Sequence, residues 1–199
     1  MKPISKKHIE RAECPGDRMF IDISSSKFDI YGGNDNWLLA LDDATDMPFS
    51  FFIDKKSELS LTLIPFIKGL EEDYGISVKR IRMEYAGENL AFARKCKEEG
   101  MNIRFKITAP NTPQQNGRRE RKFATLWGRT RAMLDGSCWP LPRCNRLWTE
   151  AASLATDLDS IYIRPGETMD SFTKFFGKGN KRANAMMPSA FQRFLEKNA

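Results

Sequence analysis

Four acidic residues stand where carboxylate chemistry would need them. Asp22 interrupts the apolar run Arg18–Ser24 (RMFIDIS), Glu84 and Glu88 follow directly on the apolar stretch Val78–Met83, and Glu120 lies on a long amphipathic segment. A carboxylate inside an apolar strand is costly unless something pairs with it. At about 100° per residue, Glu120 falls within roughly 60° of the stripe made by Phe123, Trp127, Thr130 and Leu134. It is therefore expected to point toward the body of the protein, near the edge of the buried face, while Arg118, Arg121 and Lys122 point away. Asp22, Glu84 and Glu120 would then come from two strands and one helix face and could converge on divalent metal. Two Mg²⁺ held there would activate a water or a 3′-hydroxyl and stabilise the leaving oxygen of a phosphodiester. The plainer reading is that the backbone satisfies Asp22 and that water solvates the glutamates.

Other chemistries find little support. His8 is the only histidine and lies in a basic N-terminal segment, so a Ser-His-Asp or Cys-His mechanism would depend on a poorly anchored residue. A histidine-rich zinc site is excluded. Cys14, Cys96, Cys138 and Cys144 are scattered without a CxxC pair, which makes free buried thiols the expectation and Cys96 a packing residue. No GxxxxGK[ST] or GxGxxG phosphate loop occurs.

The elements that must position the acids follow an α/β order. Arg18–Ser24, Trp37–Leu41 and Phe49–Ile53 read as an antiparallel meander, with a Gly32-Gly33 turn cluster and the polar turn Asp42–Pro48 between them. Asp42 and Asp43 are expected to shape that second turn rather than to approach Asp22. Ser57–Tyr74 carries Leu59, Leu63, Phe66, Ile67 and Leu70 at helical spacing. Ser57 is its expected N-cap, Gly75 its stop, and Pro65 should kink or split it. Strands at Val78–Met83 and Ile103–Ile107 flank a helix at Leu90–Glu99, a long helix covers about Gln114–Leu134, and another covers Leu147–Ile163 after the break at Gly136–Pro142. The order fits a mixed five-stranded sheet flanked by helices, the RNase H-like fold, although several folds share it. Phe66, Phe123, Trp127 and Trp148 read as core or interface aromatics rather than base-stacking platforms.

The 199 residues suffice for one sizeable core, and the net charge of +6 with a pI near 9.2 suits a polyanionic partner without requiring one. We expect a basic linker over 1–16, one catalytic-type domain over 17–163, and a loosely attached tail over 164–199. No apolar run approaches the roughly 18–20 residues of a membrane span, and the N-terminus lacks the apolar core of a secretory signal. An intracellular protein, nuclear or in a cytoplasmic particle, is the working class.

One string is far more specific than any of this. Thr112-Pro113-Gln114-Gln115-Asn116-Gly117-Arg118-Arg119-Glu120-Arg121-Lys122 closely resembles the TPQQNGxxERK signature of copia-type LTR-retrotransposon integrases. Phe20–Ser24 (FIDIS), Trp37–Thr45 (WLLALDDAT), Arg82–Asn89 (RMEYAGEN) and Leu147–Asp159 (LWTEAASLATDLD) resemble other segments of that family, so the likeness spans about Arg18–Asp159. Phe175–Gly179 resembles a downstream patch. The resemblance implies an RNase H-like integrase catalytic core, a DDE-type polynucleotidyl transferase that inserts element DNA into host DNA with two Mg²⁺ or Mn²⁺ ions. By position, Asp22 corresponds to the first catalytic aspartate and Glu120 to the catalytic glutamate, with Glu84 between them. The thirty-five residues from Tyr85 to Arg119 separate Glu84 from Glu120, the spacing of the D,D-35-E pattern.

The sequence departs from the family where Glu84 replaces aspartate and Tyr85 replaces a common asparagine. One extra methylene moves a carboxylate by about 1 Å, which octahedral Mg²⁺ tolerates poorly. The alternative is therefore a catalytically impaired DNA-binding remnant. Glu88 also matches a family position and reads as supporting. No His/Cys zinc module, protease or reverse transcriptase segment accompanies the core, so the chain reads as a polyprotein fragment or a decayed copy. Gln115, Asn116, Gly117, Arg118, Arg119, Arg121 and Lys122 are the expected DNA contacts, with Arg129 and Arg131 extending a basic outer face. The resemblance also implies a homo-oligomer, since related cores work as multimers.

Overall fold

The structure is a computed structural model that describes residues 11–25, 35–108 and 113–177, without the side chains of 113–119. His8, the Gly32-Gly33 turn, Thr112 and the tail from Lys178 onward lie outside the described residues. Five strands, β1 (Met19–Ser25), β2 (Asn36–Asp42), β3 (Pro48–Ile53), β4 (Arg80–Glu84) and β5 (Arg104–Thr108), form one sheet in the order β3-β2-β1-β4-β5. β1, β2 and β3 are an antiparallel meander, and β4 and β5 join β1 in parallel. Six helices follow or intervene: α1 (Leu59–Tyr74), α2 (Gly87–Glu98), α3 (Pro113–Gly136), α4 (Leu141–Arg146), α5 (Trp148–Ile161) and α6 (Ser171–Phe176). The mixed five-stranded sheet flanked by helices is as the order of periods predicts. No helix among the described residues is long and apolar enough to cross a membrane.

Strand alternation divides the core between two faces. Met19, Ile21, Leu38, Ala40, Ile81 and Met83 point to one side and pack with α1, α2 and Phe175 of α6. Trp37 and Leu39 point to the other and pack with Phe123, Leu126 and Leu134 of α3 and Trp148 and Ala152 of α5. The aromatics expected in the core are there: the ring of Trp37 lies 4.9 Å from Trp127 and 5.5 Å from Phe123, and Trp127 stacks on Trp148 at 5.5 Å.

Several local expectations change. α1 runs unbroken through Pro65, because buried Leu59, Leu63, Ile64, Ile67 and Leu70 anchor it on both sides of the proline. Ser57 does not cap it. A 3-10 turn, Lys56–Glu58, intervenes, and no side chain caps the helix start. Gly75 does end the helix, at φ 67, with its N–H and that of Ile76 closing on Glu71 and Leu70. α2 begins three residues early, at Gly87. Cys96 and Cys144 are buried as expected, whereas Cys14 and Cys138 are exposed.

The segments expected to hang loose are docked where they are described. Ala12 and Gly16 donate backbone N–H bonds to Asp43 (2.8 Å) and Asp42 (2.9 Å). At the other end, α6 returns across β3 and α1, with Phe175 3% exposed against Phe49. Asp42 also accepts from the N–H and hydroxyl of Thr45 (2.9 and 2.8 Å), so this pair of aspartates shapes the hairpin turn and ties the N-terminal segment to it. Asp43 is further paired with Arg18.

Candidate active site

The acids of interest lie on the sheet face that α3 and α5 cover. Along β1, Phe20, Asp22 and Ser24 alternate with the core residues Met19, Ile21 and Ile23 and so point away from α1. On β4, Arg82 and Glu84 do the same relative to Ile81 and Met83. The parallel register pairs Met19 with Ile81 and Phe20 with Arg82. The pairing runs to Phe20 and Arg82, and strand alternation puts Asp22, two residues beyond Phe20, and Glu84, two beyond Arg82, on the same face of the sheet. Glu84 is the last residue of β4, whereas Asp22 is the middle residue of β1.

Each acid is held differently. Asp22 is half-buried, and its Oδ1 accepts the N–H of Ile23 at 3.0 Å. Glu84 is exposed, but the backbone around it is fixed. Its carbonyl accepts from the Asn89 amide at 2.8 Å, the Met83 carbonyl accepts the Thr108 hydroxyl at 3.1 Å, and Tyr85 N–H reaches the Thr108 carbonyl at 3.2 Å. Glu88 is in the first turn of α2, where a carboxylate favours the helix start. The buried guanidinium of Arg82 shares the acid face, one same-face step back from Glu84.

α3 reaches this face through Trp127, whose indole N–H donates to Ser24 at 3.2 Å, one same-face step along β1 from Asp22. Glu120 lies two turns earlier on the helix. It is exposed, contrary to the inward edge position that the helical arithmetic assigns it. Among the described side chains of α3, the buried stripe starts at Phe123, three residues beyond Glu120. Among the described residues, no group of three or more His, Cys, Asp or Glu side chains lies close enough to hold a metal ion. Asp42 and Asp43 are not near Asp22, since Asp42 pairs with Met19 while Asp22 pairs with Leu39.

The basic face also differs from expectation. Arg121 and Arg131 are exposed, as a phosphate-contacting face requires. Lys122 is not: its ammonium turns inward to Asp159 of α5 at 2.5 Å, with its side chain 10% exposed. Arg129 joins the same carboxylate at 2.7 Å, and Arg164 closes the group at 3.0 Å. Burial pulls the Lys122 ammonium below its usual pKa, against the opposing pull of Asp159. One buried acid thus gathers three cations from α3 and from the segment after α5. The sequence held a signal for this, since Lys122 and Arg129 are seven residues apart and so share a helix face within about 20°. Gln115, Asn116, Gly117, Arg118 and Arg119 lie on α3, but their side chains are outside the described residues.

Comparison with known proteins agrees with this architecture. No family model matches the chain. It is 28% identical over 142 residues to the Retrovirus-related Pol polyprotein from transposon TNT 1-94 of Nicotiana tabacum, a match covering 70% of this chain and 10% of that protein. The chain thus spans about a tenth of the relative's length. Among solved structures, it superposes on a chain of the simian T-cell lymphotropic virus intasome in complex with the PP2A regulatory subunit B56 gamma. That match has a TM-score of 0.66 and 16% identity, covering 87% of this chain and 59% of the other. The HTLV-2 integrase catalytic core domain, in complex with magnesium and in a trimeric form, matches with a TM-score of 0.58 and 15% identity, over 83% of this chain and 99% of that one. At those identities the structural likeness speaks for the fold. The chain has the RNase H-like fold of integrase catalytic cores, and it resembles, in sequence and in fold, the integrase core of an LTR retrotransposon.

Proposed function

We propose that this chain is an integrase catalytic core acting on DNA by metal-dependent phosphoryl transfer, 3′-end processing followed by strand transfer. The observation that supports the reading is the parallel pairing of β1 with β4, from which strand alternation turns Asp22 and Glu84 to the sheet face that α3 crosses. Two carboxylates on one face of neighbouring strands, neither fully buried, are a donor set suited to a hard, oxygen-preferring cation. Asp22, Glu84 and Glu120 would hold Mg²⁺ or Mn²⁺. When bound, such ions supply Lewis-acid stabilisation of the charge that builds on the phosphate oxygens. The protein's own part is to fix the backbone at Glu84 through the Asn89 and Thr108 hydrogen bonds and to present α3 with Arg121 outward, where it would meet the DNA backbone. Gln115, Asn116, Gly117, Arg118 and Arg119 would extend that contact toward the start of α3. Lys122 belongs instead to the Asp159 ion group. The intasome and trimeric assemblies of the structural relatives support a DNA partner and a homo-oligomer.

A second reading draws on the dispersed acids. With Glu120 exposed and no three acids gathered among the described residues, the chain would be a DNA-binding remnant that keeps fold and basic face without turnover. Joining of a short DNA duplex in Mg²⁺ or Mn²⁺ separates the two. Under the first reading, joining occurs, Glu120→Gln abolishes it, and Glu84→Asp raises it by restoring the shorter carboxylate of the family. Salt-sensitive DNA binding with no joining in either metal, for the wild type and for Glu84→Asp alike, would establish the second.

A further inference from the structure

Beside the edge strand β3, two strands away from Asp22, a cavity of about 400 Å³ opens between β3, α1, α5 and α6. Its walls are aromatic. Phe49 packs on Phe66 at 4.8 Å, Tyr74 on Phe176 at 4.9 Å, and Phe172 on Phe176 at 4.9 Å. Into this apolar lining α5 sends one carboxylate, Asp157, whose Oδ2 is buried without a hydrogen-bond partner. Asp73 of α1 also lines the cavity, and among the described lining residues there is no lysine or arginine.

The combination selects a chemistry. A buried carboxylate oxygen with no partner carries the desolvation cost of its charge with nothing to offset it. Burial alone pushes the Asp157 carboxyl up to about 7. Phenyl and phenol faces attract cations, so the walls favour the same charge that the acid lacks. The volume falls within the roughly 300–1,000 Å³ of small-molecule sites, which are mainly apolar with a few placed polar groups. We propose that this cavity binds a small, largely apolar amine whose ammonium pairs with Asp157 while its hydrocarbon part lies among the Phe49, Phe66 and Phe176 rings. The site is separate from the acids of β1 and β4 and does not depend on the integrase reading.

Calorimetric titration of the full chain at pH 8 with 4-phenylbutylamine and its neutral counterpart 4-phenylbutanol tests the assignment. The amine should bind at least tenfold more tightly than the alcohol. Asp157→Asn, nearly identical in shape, should bring the two within about twofold by weakening the amine alone. Gly69→Leu gives an independent check. A Cβ at Gly69 meets nothing closer than Asp73 Oδ2 at 4.0 Å, so the larger side chain enters the cavity and should abolish binding of both probes. Equal affinity for amine and alcohol in the wild type, an amine preference that survives Asp157→Asn, or no saturable binding of either probe overturns the proposal. An Ala-Lys-Ala peptide binding more tightly than the amine would assign the site to a protein partner instead and overturn it likewise.

Discussion

Asp159 offers the sharpest test of how α3 is held. It is 4% exposed and faces Lys122, Arg129 and Arg164, whose side chains are 10%, 37% and 29% exposed. Asp159→Asn keeps the shape and removes the charge, leaving three cations around a neutral amide. Stranding the buried Lys122 ammonium alone costs about 3 kcal/mol, by analogy with other buried pairs that lose one partner. The two arginines keep much of their hydration, so each adds only about 0.5–1 kcal/mol. The sum, about 4–5 kcal/mol, should lower Tm by about 8–20 °C at 2–4 °C per kcal/mol for a chain of this size. Urea unfolding followed by tryptophan fluorescence reads it directly, since Trp127 and Trp148 stack between α3 and α5. The double variant Asp159→Asn/Lys122→Met should recover at least half of the loss, because it removes the stranded ammonium as well. The penalty should also shrink as pH rises toward the ordinary lysine value of 10.5. Burial holds the Lys122 ammonium below that value and Asp159 pulls it back up, so without Asp159 Lys122 sheds its proton more readily and the variant's stability rises more steeply with pH than the wild type's. A loss under about 1 kcal/mol, or no rescue by Lys122→Met, would show that the ion group does not anchor α3.

Asp157 gives the opposite pH dependence: its folded pKa, about 7, lies above its ordinary value of 3.8, so the stability it contributes is complete below about pH 4 and is lost as pH rises toward 7. With screening at this partly exposed site, Asp157→Asn should stabilise the protein by about 1–2 kcal/mol at pH 8 and by almost nothing at pH 4, measured by urea unfolding at both. Gly16 holds φ +81, and a Cβ there would meet the Ser77 carbonyl at 2.7 Å. Gly16→Ala should therefore cost about 2–3 kcal/mol in the same assay, from left-handed strain plus a clash with backbone. Trp37 and Trp148 are both fully buried, but only Trp37 has its indole N–H satisfied, by Ser50 at 2.8 Å. Trp37→Phe should cost about 1 kcal/mol more than Trp148→Phe, and equal losses would refute the distinction.

What the sequence made legible is what local periodicity encodes. The alternation in Met19–Ile23 and Trp37–Leu41 places one set of side chains against α1 and the other against α3, and a period of two needs no knowledge of partners. The same holds for the stripe Phe123, Trp127, Thr130 and Leu134 on α3, of which Phe123, Thr130 and Leu134 are buried. Pro65 was misjudged for the complementary reason. Its local penalty is real, but tertiary burial of the leucines and isoleucines on either side outweighs it. Lys122 failed for a related cause. A long side chain flanking the buried stripe can turn toward solvent or reach inward along its stem, and the helical angle is silent on which. The choice was made by Asp159, thirty-seven residues away, whose own burial no local pattern announces.

The acid site divides along the same line. Asp22 and Glu84 are separated by sixty-one residues, Ile23 to Met83, and the parallel pairing of Met19 with Ile81 and Phe20 with Arg82 is what makes their strands neighbours. Signature strings can name the two positions, but the strand pairing comes from the packing of core residues such as Met19 and Ile81. Glu120 depends on more distant support still. Its position relative to the sheet follows from where α3 docks, and α3 is fixed by the Trp127–Ser24 bond, the Trp37 ring cluster and the Asp159 ion group. None of those residues except Lys122 lies in the TPQQNG–ERK string that marks Glu120. A change at Asp159 should therefore shift the helix acid relative to the strand acids without touching any of the three. If the site works by gathering carboxylates, its geometry is as sensitive to that ion group as to the carboxylates themselves.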